Sequence, residues 1–418
     1  MNKSIILEQI VVDGATVRYK YTVSDELRKY FTTDTMFLHY EQDMTDVPLS
    51  IMTIPFVNCM AGLSWLLDAM LLVDEIDETY YYAFKQIKLA YAELHSTSLH
   101  GIFIPSVIKK NKMEGNNKHL LLFGGGVDCH SAFLRNIERV SGIVNIYGWA
   151  RREDEVSAVD KSDKEMTLAF AHQFDIEGFH VTSNFASQFD LDRIQKELFS
   201  GMGTSYWYGF LHSMAFLSIA APIAWQKGCA NLMIASSFTK KLIDVHCGSF
   251  ITTDSEFKFS TNGNTMHDGF ELNRQQKIAL IAKYQQEKGK PYLIQSCSFN
   301  DHNCCSCEKC FRTIVELIAE GVNPRDFGFI DINGSMVRHW KSVIRRDIAQ
   351  WAVEKEGYYY YNLARKRMKE NYESISDKEF VDWFLSFDFE KAKKDGLRRY
   401  YFQNFFSILK RKLHMLHM

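Results

Sequence analysis

Hydrophobic and polar positions in the first 110 residues alternate as in a small α+β unit. Two β-rich runs in 5–23 are broken at Asp13-Gly14, which is a hairpin signal, and 36–40 predicts a further strand. Helical stretches follow near 56–74 and 79–95. The polar run 111–118 then predicts a linker.

From residue 119 the pattern changes to short apolar runs that alternate with helical stretches, as in βαβ units. The predicted strands are 120–123, 143–147, 178–182, 230–235 and 292–294, and the predicted helices lie near 130–139, 163–173, 190–199, 206–226 and 273–286. Beyond Asn323-Pro324 the chain is aromatic and helical. We therefore expect an α/β fold, with an N-terminal α+β unit in 1–112, a parallel-sheet domain in 119–322 and a helical C-terminal extension in 323–418.

Composition and charge exclude several classes of protein. With 46% apolar residues in 418, the chain can bury a core, so a disordered chain is excluded. The 49 basic and 51 acidic residues nearly cancel, so we expect no strong nucleic-acid binding. The exception is 391–418, where eight Lys or Arg oppose the single Asp395 among dense aromatic residues. We expect a terminal helix there that docks its aromatic face on the protein body.

One apolar stretch, 51–73, is long enough to cross a membrane, but it contains Pro55, Asn58 and Asp68. It predicts a buried helix and no membrane span. The first residues lack the apolar core of a signal peptide, so we expect a cytoplasmic protein with reduced cysteines.

The first candidate for chemistry is a predicted strand that runs into the glycines Gly124, Gly125 and Gly126 and then into a helix. Such a turn lets successive N–H groups and a helix N-terminus face one anion, and a nucleotide phosphate is the natural ligand. A glycine turn that only serves strand–helix packing remains the alternative.

The second candidate is a cluster of cysteines within 14 residues. Four of them, Cys297, Cys304, Cys307 and Cys310, have the short gaps that let thiolates surround Zn²⁺ tetrahedrally. Cys305 is the odd member, and His302 is a possible substitute ligand. An iron–sulfur cluster is the rival, although the Cys-Pro that completes such a ferredoxin-type run is missing.

The segment Phe-Gly-Gly-Gly-Val-Asp-Cys at 123–129 resembles the Ser-Gly-Gly-x-Asp-Ser loop of PP-loop ATP pyrophosphatases. The resemblance implies that ATP binds at Gly124, Gly125, Gly126, Val127, Asp128 and Cys129, and that Asp128 helps to hold Mg²⁺-ATP. Gly124 and Cys129 stand where the family usually has serines, and Ser131 is a candidate replacement. Together with the late cysteines, the chain resembles the 7-cyano-7-deazaguanine synthases of this superfamily, over about 119–322. A weaker resemblance is to the ATP-dependent epimerase of UDP-N-acetylmuramoyl-L-alanyl-L-glutamate.

These resemblances imply an enzyme that adenylates a small-molecule carboxylate with release of pyrophosphate, with Asp128 and Lys277 as catalytic residues. The alternatives are a catalytically degenerate PP-loop scaffold, which the two missing serines favour, and an epimerase of a cell-wall dipeptide precursor. The sequence does not predict an oligomeric state.

Other residues are candidates by position. Ser236, Ser237 and Thr239 follow a predicted strand and could face the nucleotide or act as helix caps. Trp149 could stack on adenine or only pack. The remaining candidates are His267, Asp268 and Arg274, which could bind an anionic substrate or lie in a solvated loop. His212, in an apolar helical stretch, is expected to be a core residue.

Overall fold

The computed structural model describes residues 3–200, 202–242, 246–297, 302–332, 334–349, 351 and 355–403. The chain divides into two compact units, Met1–Asn273 and Arg274–Met418. The structural division therefore falls at Asn273/Arg274, whereas the sequence predicted boundaries near 112–119 and 322–323.

The first unit contains all the strands found in the described residues. They are β1 (Ser4–Asp13), β2 (Thr16–Val23), β3 (Thr35–His39), β4 (Met70–Asp77), β5 (Ile102–Lys109), β6 (Asn116–Leu122), β7 (Val140–Tyr147), β8 (Glu177–Ser183), β9 (Cys229–Ala235), β10 (Lys258–Ser260) and β11 (Gly263–Asp268). Its helices are α1 (Asp25–Arg28), α2 (Leu49–Leu67), α3 (Glu78–Leu94), α4 (Val127–Arg135), α5 (Ala158–Gln173), α6 (Leu191–Leu198), α7 (His212–Gln226) and α8 (Ile251–Asp254), and a π-helical turn at Trp207–Leu211 precedes α7.

The strands form one mostly parallel sheet, so the α/β class is confirmed. Within the described residues it has 11 strands in the order β10-β11-β9-β6-β7-β8-β3-β2-β1-β4-β5. Strands β8, β7, β6, β9 and β11 pair in parallel. The chain goes from β6 to β7 and β8 on one side and then returns to place β9 and β11 on the other side. The order therefore reverses between β6 and β9.

The N-terminal strands continue this sheet. Strand β3 pairs with β8 through Leu38 with Ser183 and His39 with Thr182, in antiparallel register. One hydrophobic core includes buried residues from Ile5 to Phe259. Because the sheet and the core are continuous, 1–112 belongs to the same compact unit as the strands that follow.

The apolar stretch 51–73 is a helix followed by a strand, so the predicted helix at 56–74 is wrong at its C-terminal end. Helix α2 ends at Leu67 because Asp68 adopts the left-handed conformation, with φ 53°. Two helices, Leu49–Leu67 and Trp207–Gln226, are long and apolar enough to cross a membrane, yet 89% and 78% of their apolar windows are buried inside the protein.

The predicted strand at 292–294 is also wrong, because 291–297 has no regular secondary structure. The fifth strand of the parallel set is β11, which forms a hairpin with β10. The sequence analysis missed β11 because its residues, Gly-Asn-Thr-Met-His-Asp, are mostly polar. A strand near the end of a sheet tolerates polar residues, since it is only partly buried.

The second unit is helical in the described residues. Its α-helices are α9 (Arg274–Lys288), α10 (Glu308–Ala319), α11 (Met336–Asp347), α12 (Lys355–Glu370), α13 (Lys378–Ser386) and α14 (Phe389–Gln403), with 3₁₀ turns at Pro324–Phe327 and Tyr372–Ser374. The fully buried Phe311 of α10 contacts the rings of Trp340, Tyr361 and Phe389 from three other helices.

Helix α14 contains the described part of 391–418, the segment predicted to dock its aromatic face on the protein body. Phe389 is buried, and Gly396 packs closely on Ile348. Further along the helix, however, Tyr401 and Phe402 are 58% and 87% exposed. The described part of the segment therefore docks at its beginning and leaves its later aromatic residues in solvent, while 404–418 lies outside the described residues.

Candidate functional site

The glycine turn forms the junction between β6 and α4. Gly125 has φ 69°, a conformation that residues with a side chain rarely adopt. Gly126 is the N-cap of α4 and, as a glycine, makes no side-chain cap hydrogen bond. The first N–H groups of a helix have no partners within the helix, so an uncapped N-terminus favours an anionic ligand.

A cavity of about 350 Å³ lies against this turn. Gly124, Gly126 and Asp128 line it from the β6–α4 junction, and Ala235 and Ser237 line it from the end of β9. The cavity thus lies at the carboxyl ends of β6 and β9, where the strand order reverses. Open α/β sheets bind their ligands in the crevice at this position.

The two positions that lack the expected serines differ in their surroundings. Gly124 is exposed, and a Cβ atom added there would have no atom within 4 Å. Cys129 is buried, and its thiol donates to the Gly126 carbonyl at 3.1 Å. Burial raises the pKa of Cys129 to about 12, although the backbone groups of Gly124, Gly125 and Gly126 oppose this shift. The Cys129 thiol is therefore protonated at neutral pH.

The other predicted nucleotide-binding residues separate into two groups. Ser237 is exposed and lines the cavity. Six others are not among its lining residues: Gly125, Val127, Ser131, Ser236, Thr239 and Trp149. The Ser236 hydroxyl donates to the Phe238 carbonyl at 2.9 Å, and the buried Ser131 hydroxyl has no hydrogen-bond partner in the described part of the chain. Trp149 lines a different cavity, and its ring lies 4.9 Å from that of Trp207.

The predicted substrate-binding residues in the first unit make internal contacts. His267 Nδ1 lies 2.9 Å from Asp254 Oδ2, and both side chains are almost fully buried. Asp268 accepts from the Asn136 amide at 3.2 Å and pairs with Arg135 at 3.5 Å. These contacts tie β11 to α8 and α4, so the solvated-loop alternative is wrong for both residues, and their substrate-binding role stays a prediction.

The two predicted residues in the second unit are held in the same way. Arg274 donates to Glu316 at 2.9 Å and to the Thr313 hydroxyl at 3.1 Å. Burial raises the pKa of Glu316. Lys277 is buried in α9, with 3% of its surface exposed. Arg274 is therefore bound within its own unit, and its substrate-binding role and the catalytic role of Lys277 both stay predictions.

The cysteine cluster is assembled as the spacing predicted. The Sγ atoms of Cys297, Cys304, Cys307 and Cys310 all lie within 4.8 Å of one another, and those of Cys304 and Cys310 are 3.9 Å apart. Four thiolates about 2.3 Å from a zinc ion form a tetrahedron with edges of about 3.8 Å. The four thiols therefore fit a metal ion such as zinc.

The α10 N-terminus supplies part of the electrostatics of this cluster. Cys307 is the N-cap, and its sulfur accepts from the Cys310 N–H at 3.5 Å. Hydrogen bonding from the Cys310 side chain lowers the pKa of Cys307. Metal binding requires thiolates, and the lowered pKa of Cys307 favours this form.

The two additional candidates for this cluster lie outside the group of four converging thiols. His302 is exposed and pairs with Asp331 at 3.4 Å. Cys305 has φ 46°, lies outside the group of four, and burial raises its pKa to about 11. The left-handed conformation of Cys305 turns the backbone between two ligands while its own thiol stays protonated.

Asn303 positions the cluster, and the sequence analysis missed it. Its side chain is buried, and Nδ2 donates to the Ile294 carbonyl at 2.7 Å. Its Oδ1 accepts from the N–H groups of Ser296 at 2.8 Å and of Cys297 at 3.3 Å. Asn303 thus fixes the segment that carries Cys297 beside the segment that carries Cys304. Its position next to a ligand cysteine was the only sequence signal.

Comparison with protein-family models, with curated proteins and with solved structures returned no match.

Proposed function

We propose that this protein binds Mg²⁺-ATP in the glycine-turn cavity and adenylates a carboxylate, with release of pyrophosphate. The observation that carries the proposal is the position of the cavity. It lies where the strand order reverses, and an uncapped helix N-terminus borders it.

The strand order supports a PP-loop-like fold for this half of the sheet. Numbered along the chain from β6, the five parallel strands have the order 3-2-1-4-5. This is a doubly wound arrangement, in which the turn after the first strand holds the phosphates of a nucleotide. The glycines follow the first strand of this set, as in the PP-loop family that 123–129 resembles.

In the proposed reaction, a carboxylate oxygen attacks the α-phosphorus of ATP and pyrophosphate leaves. The N–H groups of the turn, from Gly124 to Asp128, would stabilise the charge that develops on the leaving group. Asp128 borders the cavity and would hold Mg²⁺, which neutralises phosphate charge when bound. The cysteine cluster belongs to the second unit, and its proposed role is structural.

Calorimetric titration with Mg²⁺-ATP tests the binding step. Gly125→Ala adds a Cβ at φ 69°, and a left-handed conformation costs a residue with a side chain about 1–2 kcal/mol. The turn should therefore relax away from its nucleotide-binding shape and weaken binding by about tenfold. Asp128→Ala should remove the Mg²⁺-dependent part of the affinity.

The matched control is Gly14→Ala in the hairpin between β1 and β2. Gly14 has φ 57°, and a Cβ there would meet no atom within 4 Å. This variant carries the same backbone penalty, but it should bind ATP as the parent protein does. Absence of binding to the parent protein at millimolar ATP would refute the proposal, as would equal affinities of the two variants.

The alternative is a nucleotide-binding scaffold without catalysis, and one observation favours it. The Cys129 thiol is buried and donates to the Gly126 carbonyl, and Gly124 offers no hydroxyl to phosphate. A pyrophosphate-release assay with a panel of carboxylates, run on protein that binds ATP, separates the two functions. Gly124→Ser is sterically open and should strengthen ATP binding or leave it unchanged.

A further inference from the structure

A cysteine and a histidine meet in the wall of the glycine-turn cavity. Both Cys247 and His212 line it, and Cys247 Sγ lies 3.8 Å from His212 Nε2. His212 begins α7, and Cys247 lies in the loop before α8. The sequence pattern predicted His212 to be a core residue. Its side chain is half-buried and borders the cavity instead of packing only against apolar side chains.

The hydrogen bonds of the imidazole decide which nitrogen faces the thiol. His212 Nδ1 lies 2.9 Å from the Trp207 carbonyl oxygen, which can only accept. Nδ1 therefore carries the proton, and the neutral ring presents the Nε2 lone pair to Cys247. Burial lowers the pKa of His212, so the ring is neutral at pH 7 and can take a proton.

The backbone around the pair is closely held. The residue before Cys247, His246, accepts from the Thr204 hydroxyl at 2.8 Å. The residue after it, Gly248, donates to the Tyr208 carbonyl at 2.9 Å and accepts from the Tyr91 hydroxyl at 2.9 Å. A Cβ on Gly248 would lie 2.7 Å from a backbone oxygen, so only glycine fits. This support fixes where the thiol lies.

The backbone on the histidine side is also unusual. The turn Trp207–Leu211, which supplies the carbonyl for His212 Nδ1, is π-helical. Such insertions cost helical regularity and occur frequently at functional sites. An ordinary core helix with a single satisfied histidine has no need of one.

We propose that Cys247 and His212 form a nucleophile–base pair that accepts an acyl group in this cavity. The source of the acyl group rests on the proposed function, which supplies an acyl adenylate. His212 Nε2 takes the thiol proton, and Cys247 Sγ attacks the carbonyl carbon. The bond from this carbon to the phosphate oxygen breaks, AMP leaves, and a thioester forms. An amine or water then attacks the thioester carbonyl carbon and the carbon–sulfur bond breaks. The imidazolium returns its proton to the departing thiolate, and the proton lost by the amine or water passes to solvent.

The Cys247 thiol differs in its surroundings from the Cys129 thiol of the glycine turn. Cys129 lines the same cavity, but its thiol donates to a carbonyl oxygen and its pKa is about 12. Cys247 instead has a nitrogen base within reach. Nucleophilic reactivity should therefore be concentrated on Cys247.

Alkylation by iodoacetamide, mapped cysteine by cysteine by mass spectrometry, tests the pair in the full-length protein. Cys229 is the internal reference, because its exposure of 2% matches the 3% of Cys247. The Cys229 thiol lies 3.6 Å from the Ser141 hydroxyl, which is not a base. Cys247 should be alkylated at least about tenfold faster than Cys229. In the His212→Gln variant, the alkylation rate of Cys247 should be at least about tenfold lower than in the parent protein. The rate at Cys229 should not change in this variant.

A second probe, p-nitrophenyl acetate, supplies an activated acyl group without ATP. The parent protein should release a burst of p-nitrophenolate and carry an acetyl thioester on Cys247 that hydroxylamine removes. Cys247→Ser should lose the burst, whereas Cys229→Ser should keep it. Equal alkylation of Cys247 and Cys229, or an acetyl group found on another residue, would overturn the proposal.

Neither probe depends on nucleotide, so the two proposals fail separately. If Cys247 is acetylated but the protein does not bind Mg²⁺-ATP, the nucleophile–base pair is supported and the acyl adenylate is refuted as its acyl donor. If the protein binds Mg²⁺-ATP but Cys247 is unreactive, the proposed function is supported and the thioester step is refuted.

Discussion

Replacing Asn303 by alanine tests whether the cysteine cluster depends on one buried amide. The substitution removes no metal ligand. It deletes the donor to the Ile294 carbonyl and the acceptor for the Ser296 and Cys297 N–H groups. These backbone groups belong to the segment that leads into the first ligand, so their loss should let Cys297 move away from the other three thiols.

The structure sets the size of the effect. Two of the hydrogen bonds are short, at 2.7 and 2.8 Å, and only 3% of Asn303 is exposed. A buried polar group that loses its partner costs about 1–3 kcal/mol, so the two short bonds together are worth about 2–6 kcal/mol. Residues that orient metal ligands typically contribute about 10–100-fold to metal affinity. We expect zinc affinity to fall by at least about tenfold and unfolding of the second unit to require less urea.

Competition with a chromophoric chelator measures the zinc affinity, and tryptophan fluorescence follows unfolding. The matched control is Asn323→Ala, because Asn323 is exposed and, among the described residues, its side chain accepts only from the Arg325 N–H, at 3.1 Å. Loss of such a cap costs about 1 kcal/mol and should leave the metal in place. If Asn303→Ala binds zinc as tightly as Asn323→Ala does, the positioning role of Asn303 is refuted.

Three further predictions concern metal, acid and packing. Metal analysis of the purified protein should return one zinc, and Cys307→Ser should lose the metal and destabilise the helical second unit, which houses the cluster; iron with a charge-transfer absorption band would contradict this. Burial lowers the pKa of His130 to about 3 in the folded protein, whereas in the unfolded chain this pKa is about 6.5. Below pH 6.5 the unfolded chain therefore binds more protons at His130 than the folded protein does. Stability should therefore be fully present above pH 6.5 and fall toward pH 3, by at most about 1.4 kcal/mol per pH unit for this residue, and His130→Phe should flatten the acid limb of a urea-unfolding series. A Cβ at Gly396 would lie 2.6 Å from Ile348 Cγ2, so Gly396→Ala should cost about 1–3 kcal/mol, and Ile348→Ala in the same chain should recover part of it; equal melting temperatures of the parent and the single variant would argue against close packing there.

Local pattern was sufficient for the central strands and for the cysteine cluster. Strands β6, β7, β8 and β9 were predicted within a few residues of their bounds, because buried parallel strands are short apolar runs between helices. The spacing of the four cysteines likewise predicted their convergence, since two-residue gaps bring side chains together through local turns.

Pattern failed where long-range pairing compensates for unfavourable composition. Strand β11 is polar and was missed, because no local apolar pattern marks a strand that pairs with β9 through its backbone. His267 and Asp268 were expected in a ligand-binding or solvated loop, yet they pair with Asp254 and with Arg135 and Asn136. A charged residue looks the same in the sequence whether its partner is a ligand or another side chain.

The sequence by itself determined the α/β class, the glycine turn and the four cysteines of the cluster, because each follows from residues close together in the chain. Only the tertiary structure decided the strand order, and with it the position of the cavity between the ends of β6 and β9. The same holds for His212 and Cys247, which meet because α7 and the loop before α8 border the same cavity. Contacts between residues distant in sequence depend on how whole elements pack, and no local pattern carries that information.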